Sequence, residues 1–204
     1  MNTTCENKTM PSLSALVLAA GLSTRMGRDK ALLEVNGTPL WQRQRDVLVE
    51  AGAAEIWLSA RRDQSWTRDA KGFAGVIHDS MPGCGPMVGI TAGLERATQP
   101  WVAAIAVDLP AMKPEWFVSL LAGCTNTCGV VGRRGEFFEP LAAIYPKEMM
   151  WLAWEALART EYSMQRLVAT GVEKGLMRVR EIGADEESMF SNWNREEDRE
   201  SFSR

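Results

Sequence analysis

Two short and nearly continuous apolar runs are the sequence feature that most strongly constrains the fold of this chain. They occupy residues 13–20 (LSALVLAA) and residues 101–107 (WVAAIAV). Because neither run alternates between apolar and polar residues, both are typical of strands that are covered on both faces, as in a parallel sheet. We therefore predict that they are buried strands of an α/β fold.

Capping signals and amphipathic segments lie between the predicted strands. Thr38 and Pro39 are expected to open one helix, since Thr can cap a helix and Pro fits its first position. Gly52 stands where the C-terminal cap of that helix belongs, and Pro86 is expected to open another helix. The remaining elements are predicted as strands at residues 55–60, 75–78, 128–131, 136–145 and 176–182, and as helices at residues 114–121, 147–159, 164–170 and 195–202.

The order of these elements predicts the architecture. Strands alternate with helices through residue 131, which is typical of βαβ units and a parallel sheet. The part that follows is less regular, and its strand at residues 136–145 is expected to be antiparallel. We predict a single Rossmann-like three-layer α/β domain over residues 13–204, with a mostly parallel sheet and an antiparallel addition in the C-terminal part. Residues 1–12 are polar and are expected to form a loose N-terminal tail.

The composition argues against several classes of function. The chain has 204 residues and a formal net charge of −3, so it lacks the basic surplus of a general nucleic-acid binder. Its apolar runs are too short to span a membrane and its first residues show no signal pattern, so we expect a cytoplasmic protein without a membrane partner. Its four cysteines form no Cys-x-x-Cys pair and it has one histidine, which argues against a structural zinc site.

The loop after the first predicted strand combines small residues with positive charge. It runs from Gly21 through Arg25 and Arg28 to Lys30. Small residues let backbone amides approach an anion closely, and arginine and lysine supply the charge that a triphosphate requires. The spacing fits neither the dinucleotide fingerprint nor the P-loop. An ordinary βα loop with solvated charges stays an alternative.

Carboxylates follow two other predicted strands. Asp108 follows the strand at residues 101–107, and Asp79 comes just after the strand at residues 75–78. In open α/β sheets, ligands bind outside the carboxyl ends of the strands, and Mg²⁺ takes one or two protein carboxylates together with phosphate oxygens and water. Asp108 is therefore a candidate Mg²⁺ ligand. Asp79 is a candidate contact for a ribose, a base or a metal-bound water, and each aspartate also fits a turn.

Residues 18–33 (LAAGLSTRMGRDKALL) resemble the opening motif of small nucleotidyltransferases. These include the molybdenum cofactor guanylyltransferases and cytidylyltransferases and, more distantly, the sugar-nucleotide pyrophosphorylases. Later stretches resemble guanylyltransferase segments: Asp79-Ser80 with Gly85-Pro86-Met87-Val88-Gly89, Asp108-Leu109-Pro110, Glu139-Pro140-Leu141, and residues 190–198. The resemblance extends from about residue 13 to residue 200 and is strongest in the first half.

The resemblance implies a role for each matched residue. Nucleotide contacts are implied for Leu18, Ala19, Ala20, Gly21, Lys30, Ser59, Asp79, Gly85 and Asp108. Arg25 and Lys30 would hold phosphates and act in catalysis together with Asp108, which would bind Mg²⁺. Asn192 and Asn194 would line the acceptor site.

The implied reaction is attack by the terminal phosphate of molybdenum-bound molybdopterin on the α-phosphate of GTP, with release of pyrophosphate. The implied partners are GTP, a molybdopterin-type acceptor, and molybdoenzymes or their chaperones. Ala20 and Ser59 depart from the guanylyltransferase pattern, which often has Gly and Asn there, and Arg195-Glu196 replaces a Thr-Pro pair. Two alternatives therefore stay open. One is a cytidylyltransferase acting on molybdopterin or another phosphorylated acceptor, and the other is a non-catalytic nucleotide-binding accessory protein.

Overall fold

The structure is a computed structural model that describes residues 13–21, 29–79, 81, 83–125 and 127–193. The tail predicted at residues 1–12 and the terminal helix predicted at residues 195–202 lie outside the described residues.

Helices separate most of the strands up to residue 134, as the apolar pattern predicts for the part through residue 131. The strands are β1 (Leu13–Leu18), β2 (Glu34–Val35), β3 (Thr38–Pro39), β4 (Ala53–Ala60), β5 (Gly75–His78), β6 (Trp101–Ala106), β7 (Gly129–Arg134), β8 (Phe137–Phe138), β9 (Ala142–Pro146) and β10 (Met177–Glu181). The α-helices are α1 (Leu40–Glu50), α2 (Pro86–Arg96), α3 (Pro114–Gly123), α4 (Met149–Ala158) and α5 (Met164–Glu173). Short 3-10 helices lie at Lys30–Leu32, Ser65–Arg68 and Glu187–Phe190.

The main sheet has the strand order β10-β7-β9-β6-β1-β4-β5, and β8 pairs with β7 outside this path. β1 is parallel to both β4 and β6, and β5 is parallel to β4. β9 is antiparallel to β6 and to β7, while β10 is parallel to β7. The predicted architecture, a mostly parallel sheet with an antiparallel addition in the C-terminal part, is confirmed.

Alternate residues of β1 belong to opposite faces of the sheet. Leu13, Ala15 and Val17 pack in one core cluster with residues of α1 and α3. Leu16 and Leu18 pack in a second cluster with residues of α2, α4 and α5. Because both faces of β1 are covered, the strand is apolar throughout, and the three layers follow from this.

Two local predictions differ from the structure. Thr38 does not cap the helix: Thr38 and Pro39 form β3, which pairs with β2, and Pro39 is the N-cap of α1, which begins at Leu40. The cause is the Asn36-Gly37 turn, in which both residues have positive φ, of 51° and 77°. Such a turn joins antiparallel strands, and it holds Thr38 opposite Val35. The region at residues 136–145 is not one strand, because a turn between β8 and β9 interrupts it.

Candidate active site

The carboxyl ends of β1, β4, β5 and β6 lie side by side at one edge of the sheet. Leu18 at the end of β1 is in register with Ser59 on β4 and with Ala106 on β6, and Ala60 is in register with His78 on β5. The segments that leave these strands therefore meet at this edge. The strand ends and these segments together contain the sequence-predicted site residues up to Asp108 that the structure describes.

Lys30 and Asp108 form an ion pair at this edge, although 78 positions separate them in the sequence. The distance from Lys30 Nζ to Asp108 Oδ2 is 3.3 Å, and the two side chains are only 17% and 25% exposed. A cation and a carboxylate are thus placed together in a partly sheltered position. Such a pair is chemically suited to a magnesium triphosphate, because a carboxylate can bind the metal and an ammonium group can neutralise phosphates.

Backbone and side-chain hydrogen bonds hold the segment around Asp108. The Val107 amide donates to Leu18 O at 3.0 Å, which ties the segment to the end of β1. Beyond Asp108, the buried Gln44 side chain of α1 donates to Leu109 O at 2.7 Å, and Arg43 donates to Pro110 O at 2.6 Å. Sequence reasoning missed both side chains. One sequence feature could have revealed Gln44: it is a polar residue on the apolar face of a predicted helix, which indicates a buried hydrogen bond.

The start of the Gly-rich loop is built into the sheet. Leu18 and Ala19 are buried, the Ala19 amide donates to Ser59 O at 2.8 Å, and the Leu18 carbonyl accepts from Val107. Ala20 and Gly21 follow as more open residues, and their carbonyls accept from the Arg61 guanidinium at 3.2 and 2.5 Å. Leu18 and Ala19 are thus buried residues beneath the start of the loop. Arg61, which sequence reasoning missed, turns these carbonyls toward the protein. Arg25 lies outside the described residues.

Ser59 differs from the other predicted nucleotide contacts because its side chain is buried. The residue is 1% exposed, and its hydroxyl has no hydrogen-bond partner within the described part of the chain. Gly89 of α2 lies directly against it, since a Cβ on Gly89 would be 2.6 Å from Ser59 Oγ. The hydroxyl therefore presents no surface to a nucleotide in this conformation.

Asp79 and Gly85 lie before the N-terminus of α2. The Asp79 amide donates to Ala60 O at 3.0 Å, and its carboxylate accepts from the Met81 amide at 2.9 Å in a tight turn. Gly85 has a φ of 68° and caps α2 without a side-chain hydrogen bond, and Pro86 follows at the first position of the helix. The positive end of the α2 dipole is therefore directed at the same edge of the sheet.

The structure places one of the two predicted acceptor residues, Asn192, next to the Asp108 segment. The Trp193 amide donates to Asp108 O at 3.0 Å, so the exposed residue Asn192 lies beside the Asp108 segment. Leu141, just before β9, accepts from the Ala106 amide at 2.8 Å, which brings Glu139 to the same edge. Burial raises the pKa of Glu139, and Arg134, whose guanidinium is 3.4 Å away, opposes that rise. Asn194 lies outside the described residues.

The Asp108 carboxylate is an oxygen ligand of the kind that suits a hard, hydrated cation. In the described ranges, no group of three or more His, Cys, Asp or Glu side chains is gathered as a metal cage. Asp108 would therefore hold a metal as a single carboxylate, with phosphate oxygens and water completing the shell, which is the usual arrangement for Mg²⁺. None of the helices among the described residues is long and apolar enough to cross a membrane.

Comparisons with known proteins identify relatives of this chain by sequence. A family model described as a MobA-like NTP transferase domain matches residues 15–176. A probable molybdenum cofactor guanylyltransferase of Opitutus terrae is 42% identical over 192 residues, which cover 93% of this chain and 94% of that protein. A molybdenum cofactor guanylyltransferase of Pseudomonas putida is 31% identical over 187 residues, which cover 90% of this chain and 94% of that protein.

Solved structures share the same fold. Molybdopterin-guanine dinucleotide biosynthesis protein A from Archaeoglobus fulgidus superposes with a TM-score of 0.70 and 21% identity, covering 92% of this chain and 95% of that one. A nucleotidyl transferase from Methanothermobacter superposes with a TM-score of 0.74 and 18% identity, covering 93% and 95%. The family model covers most of the chain, and the first of the two relatives by sequence is similar over nearly its whole length. The chain therefore belongs to the MobA-like NTP transferase family and is a nucleotidyltransferase.

Proposed function

We propose that this enzyme transfers GMP from GTP to the terminal phosphate of molybdenum-bound molybdopterin, releases pyrophosphate, and requires Mg²⁺ held by Asp108. The observation that carries the proposal is the sheltered Lys30–Asp108 pair at 3.3 Å, at the carboxyl edge of a parallel sheet. The relatives named molybdenum cofactor guanylyltransferase, which match nearly the whole chain, support the choice of GMP and of a molybdopterin acceptor.

Several of the described residues at this edge have side chains or backbone groups whose chemistry fits the reaction. When bound, Mg²⁺ would supply positive charge that stabilises the charged phosphates. Asp108 would hold the ion, and Lys30 would neutralise phosphate oxygens in place of its present contact with Asp108. The α2 N-terminus adds a positive dipole at the Asp79–Gly85 side, where we place the guanosine part.

The acceptor is proposed to lie on the other side of Asp108, next to Asn192. The backbone hydrogen bond from the Trp193 amide to Asp108 O supports this placement, because it brings the neighbouring residue Asn192 next to the Asp108 segment. An asparagine amide donates and accepts hydrogen bonds, which suits a pterin edge or a phosphate. The acceptor phosphate is already anionic, so the transfer needs no general base. Orientation and charge neutralisation then supply most of the catalysis.

Nucleotide preference gives the first test of this proposal. We expect GTP with Mg²⁺ to raise the melting temperature more than CTP, ATP or UTP, and saturation at about one hundred times the dissociation constant adds roughly 2.7 kcal/mol. Release of pyrophosphate on addition of molybdenum-bound molybdopterin should follow. A preference for CTP would replace the guanylyl assignment by a cytidylyl one, and nucleotide binding without pyrophosphate release would indicate an accessory protein.

The product would pass to molybdoenzymes or their chaperones. This part of the proposal is tested by whether the dinucleotide product stays bound until an apo-molybdoenzyme is added. Immediate release of all product into solution would count against direct transfer.

A further inference from the structure

Asp29, the residue before Lys30, accepts more hydrogen bonds than a helix cap requires. Its Oδ1 accepts from the Ala31 amide at 3.1 Å, which is the ordinary cap of the short helix that contains Lys30. Its Oδ2 accepts from Gln64 Nε2 and from Trp66 Nε1, each at 2.7 Å. These two donors come from the segment after β4, so the second oxygen is held from a different part of the fold.

Gln64 joins both ends of the Gly-rich loop. It is 4% exposed, and its Nε2 group also donates to Ala19 O, at 3.0 Å, where the loop begins. The same side chain accepts from the Arg61 amide through Oε1 at 2.6 Å, which orients the amide group. One buried side chain therefore contacts Ala19, just before the loop, and Asp29, near its end.

Trp66 is held in place by packing. Its ring stacks on Trp41 with a centroid distance of 6.0 Å and an interplanar angle of 21°, and Trp41 in turn contacts Phe73 at 5.9 Å. An indole fixed in this way can direct its N–H at one point. A charge-assisted hydrogen bond from a fixed donor orients the acceptor more strictly than a bond from a mobile side chain.

We propose that Asp29 is a positioning residue, and that Gln64 and Trp66 hold it so that Lys30 faces Asp108. The inference rests on the proposed function for one element, the role of Lys30 as a phosphate ligand. Its physical basis is that Asp29 and Lys30 are adjacent in the chain. A fixed Asp29 therefore limits the orientation of the Lys30 backbone and the positions that the Lys30 ammonium group can reach. Asp29 itself does not contact the reacting groups in this scheme.

The substitution Trp66→Phe tests the proposal, because it removes the N–H donor and keeps an aromatic ring on Trp41. We expect kcat for GMP transfer to fall by roughly tenfold or more, since a misplacement of about 1 Å costs on the order of 10²-fold. Trp41→Phe is the matched control. It makes the same change of ring in the same aromatic cluster, where Trp41 donates no hydrogen bond to Asp29, and we expect kcat to change less than twofold.

A double-mutant cycle with Lys30→Ala separates positioning from general structure. If Trp66 acts through Lys30, then Trp66→Phe in the Lys30→Ala background should change the residual rate less than twofold. A tenfold loss in both backgrounds, or an equal loss in Trp41→Phe, would overturn the proposal.

The hydrogen bond is also tested without substrate. The indole N–H resonance of Trp66, assigned by its disappearance in Trp66→Phe, should move upfield in Asp29→Asn as the charged acceptor is lost. An unmoved resonance would show that the bond to Asp29 does not form. If the wild-type protein transfers no nucleotide at all, the proposed function fails. The resonance then still decides whether Trp66 donates a hydrogen bond to Asp29.

Discussion

Replacing Asp108 by asparagine should abolish transfer while leaving the fold nearly intact. The substitution keeps the shape of the side chain and one oxygen, and it removes the charge that faces Lys30 Nζ at 3.3 Å. Asparagine is a poor ligand for Mg²⁺ compared with a carboxylate. Asp108 follows β6, whose residues are buried, so the backbone at this position is held by the sheet and not by the carboxylate.

The two expected effects differ in size. The Lys30–Asp108 pair is partly exposed, at 17% and 25%, and asparagine can still accept from Lys30, so we expect the free energy of unfolding to fall by about 1 kcal/mol or less. For a chain of 204 residues this lowers the melting temperature by about 2–4 °C. Removal of one electrostatic stabiliser of the transition state typically costs about 10²–10³ in kcat, which corresponds to roughly 3–4 kcal/mol.

The assay compares transfer rates and melting curves of Asp108→Asn, wild type and Asp46→Asn. Asp46 is the matched control, because it loses a similar ion pair, with Arg45 at 2.6 Å, by the same isosteric change on α1. We expect Asp46→Asn to keep wild-type activity and Mg²⁺ dependence. If Asp108→Asn stays fully active and still needs Mg²⁺, the metal is bound elsewhere. If its rate falls only in proportion to the folded fraction, Asp108 is structural.

Three further outcomes are expected. Burial raises the pKa of Glu139, so the ionised carboxylate destabilises the folded protein above that pKa. In urea unfolding, Glu139→Gln should therefore raise the free energy of unfolding at pH 8. This gain should shrink toward pH 4, where the carboxyl group becomes protonated. A gain that grows on acidification would contradict this sign. Gly89→Ala should destabilise the fold by about 1–3 kcal/mol, because its Cβ would meet Ser59 Oγ at 2.6 Å, and Ser59→Ala should restore part of the loss in calorimetry. Asn192→Ala should leave the GTP dissociation constant unchanged and raise the acceptor KM by roughly two- to twelvefold, from a lost hydrogen bond of about 0.5–1.5 kcal/mol. An early melting transition with a normal acceptor KM would instead assign Asn192 to the fold.

Local sequence patterns determined the elements whose signal lies within a few residues. The apolar runs that became β1 and β6 are continuous because helices cover both faces, and this burial requirement is visible in the residues themselves. Pro86 opens α2 as predicted, because the missing amide of proline costs nothing at the first helical position. At Thr38 two local signals predicted different structures, a helix cap and a hairpin turn. Thr38 lies in β3, because the positive-φ turn at Asn36-Gly37 pairs it with β2.

Only the tertiary structure decided which polar groups meet. The sequence placed Lys30 and Asp108 after strands, and the adjacency of β1 and β6 in the sheet brought them to 3.3 Å. Arg61, Gln64 and Gln44 have no local pattern that reveals their partners, since each donates to a carbonyl at least 40 positions away. Such contacts depend on which strands and helices become neighbours. Strand order is set by the packing of the whole chain, so these side chains became recognisable as parts of the site only after the sheet had been assembled.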